Sequence, residues 1–193
     1  MTEICLVRHG QTDWNFQGFI QGREDIPLND VGRLQAQQSA ALLQEEKWDV
    51  IVSSPLIRAY ETAKIIADAT GIETVHIDER FVERNFGDIS GKPASILGDI
   101  MEMGLESVNG METNEEIMER CFSALSDVAK LYEGKRVIIV AHSHAIKAML
   151  HTICPDEITF RTPLQNACVS YISHHNMVWK IEKYNYSLHI QAL

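Results

Sequence analysis

No stretch of this 193-residue chain approaches the ~18 consecutive apolar residues of a membrane-spanning helix. Its first residues, MTEICLVRHG, lack the basic region, apolar run and cleavage site of a secretory leader, so a cytoplasmic protein without membrane partners is expected. Cysteine is sparse. Cys5, Cys121, Cys154 and Cys168 are scattered and include no C-x-x-C pair, which argues against a disulfide framework and for reduced, mostly buried thiols outside catalysis. Positive charge is also short: 17 Lys and Arg face 27 Asp and Glu, giving a formal net charge of -10 with no basic cluster, so nucleic acid is not an expected partner. A small anion is still allowed, because a few arginines converging in a cleft focus the field locally. Helical zinc sites pair histidines at i, i+4, and that spacing is missing here. His142 and His144 form H-x-H, His151 lies seven residues beyond His144, and His174 and His175 are adjacent, so neither a metal nor a cofactor is expected. No repeat, low-complexity run or linker divides the chain, and residues 1–193 read as one domain able to bury ~70% of the surface of its unfolded form.

What the chain does contain is an alternation of short apolar runs and amphipathic stretches. Ile4 to Val7 reads as a strand, and Asn29 as the N-cap of a helix from Asp30 to about Glu46. Asp49 to Ser53 is a second strand, followed by Ser54 as an N-cap with Pro55 in the first helical position of a helix reaching about Ala69, which Gly71 closes. Glu73 to Ile77 is a third strand. Thr113 and Glu116 fit a capping box at the head of a long helix ended by Gly134. Arg136 to Ala141 (RVIIVA) has the continuous apolar character of a strand buried on both faces, with a helix from about His144 to Ile153 after it. ACVSYIS and MVWKIEKY then flank His174, His175 and Asn176 as two antiparallel strands, with the two histidines as exposed turn residues. The tryptophans Trp14, Trp48 and Trp179 read as packing residues, unless Trp14 borders a pocket. Together the pattern predicts an α/β fold, a three-layer α/β/α sandwich with a mainly parallel sheet and an antiparallel edge strand.

In open α/β sheets ligands bind beyond the carboxyl ends of the strands. Those ends carry Arg8-His9-Gly10 after the first strand, Ser53-Ser54-Pro55 with Arg58 one turn into the next helix, and His142-Ser143-His144 after the fourth strand. Glu83-Arg84-Asn85-Phe86-Gly87 follows the third. Two arginines, two histidines and a carboxylate meeting in one place suit phosphoryl transfer. Guanidinium forks match phosphate oxygens, neutral imidazole is a competent nucleophile near pH 7, and a carboxyl group can protonate an alkoxide leaving group. Taken singly the same residues have plainer readings: His9 as a satisfied polar residue, Arg58 in a surface ion pair, Glu83 paired with Arg80 or Arg84.

The stretch LVRHGQTDWN resembles the signature of the histidine phosphatase superfamily, the phosphoglycerate mutase-like fold. The similarity continues in order through QG..D.PLN..G..QA, SSPL.RA..TA, ER.FGD..G and VIIVAHS, and its look is nearest to the small bacterial broad-specificity phosphatases. The resemblance implies His9 as nucleophile, Arg8, Arg58 and His142 as the phosphate pocket, and Glu83 as proton donor. It places Asn15 and Gln21 at positions that touch phosphate or product in relatives. Many relatives have glycine after the second pocket histidine, where this chain has Ser143 and then His144; serine keeps the backbone N–H, so the departure bears on the pocket wall and substrate range.

The activity implied is hydrolysis of a small-molecule phosphate ester through a phosphohistidine on His9, without metal or cofactor. A cofactor-dependent phosphoglycerate mutase would use the same residues but needs a closed cavity, and the candidate lid, about 88–112 with its centre at Lys92 to Met111, is poor in basic residues able to grip a second anionic group. A noncatalytic phosphate-binding regulator is the third alternative, disfavoured because all five chemical positions are present. The residues specify neither which ester is the substrate nor an oligomeric state.

Overall fold

The structure, a computed structural model, describes residues 1–191. Six strands form one sheet: β1 (Thr2–Arg8), β2 (Val50–Ser53), β3 (Val75–Ile77), β4 (Arg136–Ala141), β5 (Val169–His175) and β6 (Val178–Tyr186), in the order β3-β2-β4-β1-β5-β6. The first four run parallel; β5 is antiparallel to β1 and β6 to β5. The expected antiparallel edge is therefore a two-stranded hairpin. Its turn falls on Asn176 and Met177, both at positive φ, as the primed hairpin turns require. His174 and His175 are the last residues of β5 rather than turn residues, and His174 packs on Trp179.

Six α-helices complete the fold: α1 (Asp13–Gln17), α2 (Asp30–Leu43), α3 (Ile57–Thr70), α4 (Leu97–Met103), α5 (Asn114–Leu131) and α6 (Ser143–Ile153). Strand side chains alternate between faces, and here both faces are buried. Ile4, Leu6, Val137, Ile139 and Ala141 pack with α5 and α6, whereas Cys5, Val7, Ile51, Ile138 and Val140 pack with α2 and α3. That division makes the three layers. Trp48 is buried in the second of these cores and stacks on Tyr171, and Trp179 packs against Phe122. Trp14 contacts Phe19 edge-on.

The capping box of Thr113 and Glu116 forms at the head of α5 as read. The start of α3 differs. The helix opens at Ile57 behind Leu56, which makes no side-chain cap, and the Ile57 N–H donates to the carboxylate of Asp25 at 2.7 Å. Ser54 is not the cap because its hydroxyl is engaged by His142, 2.7 Å away just beyond the end of β4, as well as by the Leu56 N–H. The short helix α1, with a Thr12–Asn15 capping box, was not foreseen; five residues are too few to show a helical period. Beyond β3 the chain winds through short 3₁₀ turns and α4, where Ile89 and Ile100 pack with Ile20 and Phe86 in a small separate core.

Candidate active site

The parallel register brings the strand ends together. Arg8 pairs with Ala141 and Ser53 with Val140, so the residues that follow, His9, Ser54 and His142, leave the sheet side by side. The His9 and His142 rings stand 5.3 Å apart. The turn after β1 is drawn tight against the start of α2: a Cβ on Gly10 would lie 2.2 Å from the Gly32 carbonyl oxygen, and one on Gly32 would lie 2.0 Å from that of Gln11. Only glycines allow this approach. Thr62 of α3 locks the same turn, accepting the Gly10 N–H at 3.2 Å while its own hydroxyl donates to the Arg58 carbonyl.

His9 is 2% exposed. Its Nδ1 lies 2.6 Å from the Gly10 carbonyl oxygen, an atom that can only accept, so Nδ1 carries the proton and Nε2 presents a lone pair. Arg58 Nε donates toward that lone pair at 3.3 Å. Burial first, then the charges of Arg58 and Arg8, hold the His9 pKa well below the ordinary imidazole value, so the ring is neutral near pH 7. His142 is fully buried behind it and likewise held neutral, by burial and Arg58. Arg58 is buried, pushed down to about 10 by desolvation, and anchored by the Gly22 and Glu24 carbonyls at 2.7 and 2.6 Å. Arg8 donates to the Leu164 carbonyl through Nη1, and its buried Nε has no partner among the described residues.

Glu83 does not pair with Arg80 or Arg84. Its carboxylate accepts three backbone N–H groups, from Arg84 at 2.8 Å and from Ala145 and His144 at 3.1 and 3.2 Å. The last two are orphan donors of the first turn of α6, whose N-cap His142 supplies no side-chain cap, so Glu83 caps that helix from outside. Arg80 is occupied by Asp78 and Asp127. Arg84, 1% exposed, donates to the Glu112 carbonyl, Asn114 and His144 Nδ1 and lies over the Phe160 ring. Arg120 of α5 binds the carbonyls of Arg80, Val82 and Glu83 and the carboxylate of Glu112. The loop carrying Glu83 is thus fixed by Arg84 and Arg120, and Arg23 adds a longer bond to the Glu83 carbonyl at 3.3 Å.

Of the eight residues singled out in the sequence, Arg8, His9, Asn15, Gln21, Arg58, Glu83 and Ser143 line one cavity of about 220 Å³, and His142 lies behind its wall. Gln21 accepts the Thr12 hydroxyl at 2.6 Å, and Asn15 is tied to Thr12 and to Asn166. Larger hollows exist, but it is the convergent cations and carboxylate that mark this one. Phe19, Ile20, Gly22, Phe86, Ala94, Leu97, His144 and Lys147 complete the lining. Sequence reasoning passed over Lys147, Asn166, Thr62 and Arg120. Lys147 was detectable as a charge at i+4 from Ser143 on an otherwise apolar helix face, whereas the others carry no local signal. Among the described residues no group of three or more His, Cys, Asp or Glu could hold a metal ion, and no helix is long and apolar enough to cross a membrane.

The profile of the histidine phosphatase superfamily (branch 1) matches residues 4–187. The chain is 41% identical over 194 residues to the uncharacterized phosphatase PhoE of Bacillus subtilis (strain 168), covering 100% of this chain and 98% of that one. It is 34% identical to the probable phosphoglycerate mutase GpmB of an Enterobacter species, over 93% of this chain and 88% of the relative. Among solved structures, a phosphoserine phosphatase mutant from Entamoeba histolytica in complex with phosphoserine superposes with a TM-score of 0.87 at 29% identity, covering 99% of this chain and 100% of that one. A mycobacterial glucosyl-3-phosphoglycerate phosphatase gives 0.84 at 28% identity, over 96% and 99%. The matched profile runs from β1 through β6 and takes in every strand end that supplies the cavity, and on that ground the chain belongs to the histidine phosphatase superfamily.

Proposed function

We propose that this chain hydrolyses small phosphate monoesters in two steps through a phosphohistidine on His9. The observation that carries the reading is the tautomer of His9, whose buried, neutral ring gives its Nδ1 proton to the Gly10 carbonyl and leaves the Nε2 lone pair beside Arg58. In the first step Nε2 attacks phosphorus in line, the P–O bond to the alcohol breaks, and the departing oxygen takes a proton from Glu83. In the second, Glu83 removes a proton from the water that attacks the phosphohistidine, releasing phosphate and restoring His9. Arg8, Arg58 and His142 hold the nonbridging oxygens, so the charge stabilisation a metal would supply comes from guanidinium and imidazole groups. Asn15, Gln21 and Ser143 contact the bound phosphate or the alcohol.

Residues 1–193 act as one cytoplasmic domain in this reading, with 88–112 covering the cleft; Ala94 and Leu97 at the cavity wall support the covering role. Brief exposure to a good substrate is expected to label His9 with an acid-labile, base-stable phosphoryl group. Unchanged turnover in His9→Ala overturns the proposal. The mutase reading, favoured by the 34% identity to GpmB, predicts interconversion of 2- and 3-phosphoglycerate faster than phosphate release; we expect the reverse.

A further inference from the structure

Lys147 lies in α6 and lines the cavity while only 8% exposed. Its ammonium donates to the Phe160 carbonyl at 3.1 Å and, among the described residues, forms no ion pair. Three donors with one backbone acceptor leave capacity for an anion. A buried, uncompensated cation is costly, and an apolar residue would fill the same helix face without that cost. Burial, followed by the charge of Arg8, pushes the Lys147 pKa down to about 8, so the ammonium keeps its proton at neutral pH.

Its placement limits what the anion is. Ser143 and Lys147, both in the cavity lining, are four residues apart on the same face of α6, a rise of ~6 Å along the helix from the end capped by Glu83. A cavity of about 220 Å³ suits a small phosphate ester. Its lining carries three cations, Arg8, Arg58 and Lys147, against the one carboxylate of Glu83. When Glu83 is protonated as the acid, a phosphate dianion leaves one positive charge unmatched.

Building on the phosphatase reading, we infer that Lys147 binds a carboxylate that the substrate carries close to its phosphate ester, so that phosphorylated hydroxy acids are selected over neutral polyol phosphates. The lid segment is poor in basic residues able to grip a second anion, and Lys147 on α6 takes that place.

Calorimetric binding to a His9→Ala variant tests this without turnover. 3-Phosphoglycerate is expected to bind about 10- to 100-fold tighter than glycerol 3-phosphate, the scale of one charge-assisted hydrogen bond, and adding Lys147→Met is expected to erase that preference. Lys147→Gln, which keeps a donor for the Phe160 carbonyl, serves the same purpose if the methionine variant fails to fold. Equal binding of the two ligands to His9→Ala, or an equal loss for both on replacing Lys147, overturns the assignment. Hydrolysis of p-nitrophenyl phosphate by the native chain reports separately on the phosphatase reading, since that ester has no carboxylate.

Discussion

At Glu83 three backbone N–H groups converge on one side chain, so the proposed general acid is also a helix cap, and substitution can separate the two. In the proposed mechanism the acid matters most for alcohols that leave badly. Glu83→Gln is expected to slow phosphoenzyme formation ~10²- to 10⁴-fold with glycerol 3-phosphate and only mildly with p-nitrophenyl phosphate, whose phenolate leaves unaided. The first turnover by rapid quench is the measurement, because in the proposed mechanism the same carboxylate later activates water, so that its loss depresses both steady-state rates. Equal losses in that phase show that Glu83 acts structurally; Asp88, a nearby carboxylate in the sequence, is exposed and outside the cavity lining. As a cap for α6 Glu83 also contributes stability. The glutamine amide can turn only its oxygen to those donors, so a loss of ~1–3 kcal/mol, read from the urea midpoint, is expected. Ser54 acts through His142. Its hydroxyl fixes one imidazole nitrogen at 2.7 Å, and Ser54→Ala is expected to lower kcat roughly 10-fold with KM less affected, since the ring is freed to turn while the arginines remain.

The helices α3 and α6 share a construction. Neither is capped by its own N-cap side chain; Asp25 and Glu83 reach in from distant loops to take the free N–H groups. Helix N-termini attract negative charge, so each also draws a loop of the site into register with the strand ends. The turn after β1 depends in turn on two glycines. Gly10→Ala and Gly32→Ala each place a Cβ within 2.2 Å of backbone oxygen, and relief requires β1 and α2 to part. Each is expected to cost ~2 kcal/mol or more and to reduce activity beyond the stability loss, as measured by denaturant midpoint and by kcat/KM on folded protein. By contrast Thr113→Ala, at the exposed capping box of α5, is expected to cost ~1 kcal/mol with kcat unchanged.

For the molecule as a whole, acid is the expected weakness. His9 and His142 are buried and His144 is half-buried, and all three are held well below the ordinary imidazole pKa, in each case chiefly by desolvation. In the unfolded chain they take up protons near pH 6.5, while in the folded chain they do not until the pH is much lower. Between those limits the unfolded state binds more protons, so stability falls as pH falls, by up to about 1.4 kcal/mol per histidine per pH unit. Urea midpoints are expected to drop steeply from pH 6.5 to 5.5, and a His144→Phe variant is expected to flatten the slope. EDTA is expected to leave turnover unaltered; loss of activity restored by zinc or magnesium would show that the arginine pocket is insufficient.

Strand and helix order was legible in the residues because each element has its own local cause. The uninterrupted β-branched run of RVIIVA marks a strand buried on both faces, and the helical recurrence of Ile117, Cys121, Leu125 and Val128 marks α5. Seven of the eight residues singled out in the sequence line the cavity; Arg8, His9, Arg58, Glu83 and Ser143 could be singled out because ligands in this architecture bind beyond strand ends, which can be read from the chain, whereas Asn15 and Gln21 came only from the family resemblance. What the sequence could not reveal depended on partners distant along it. The serine expected to cap α3 is claimed by a histidine 88 residues on. The arginines that fix Glu83 bond to carbonyls and carboxylates on other elements, and Lys147 becomes a buried cation of the pocket only once α6 packs against the Phe160 segment. Helical and strand periods come from covalent geometry and are carried by neighbours in sequence, whereas desolvation and charge pairing depend on atoms joined only by the fold.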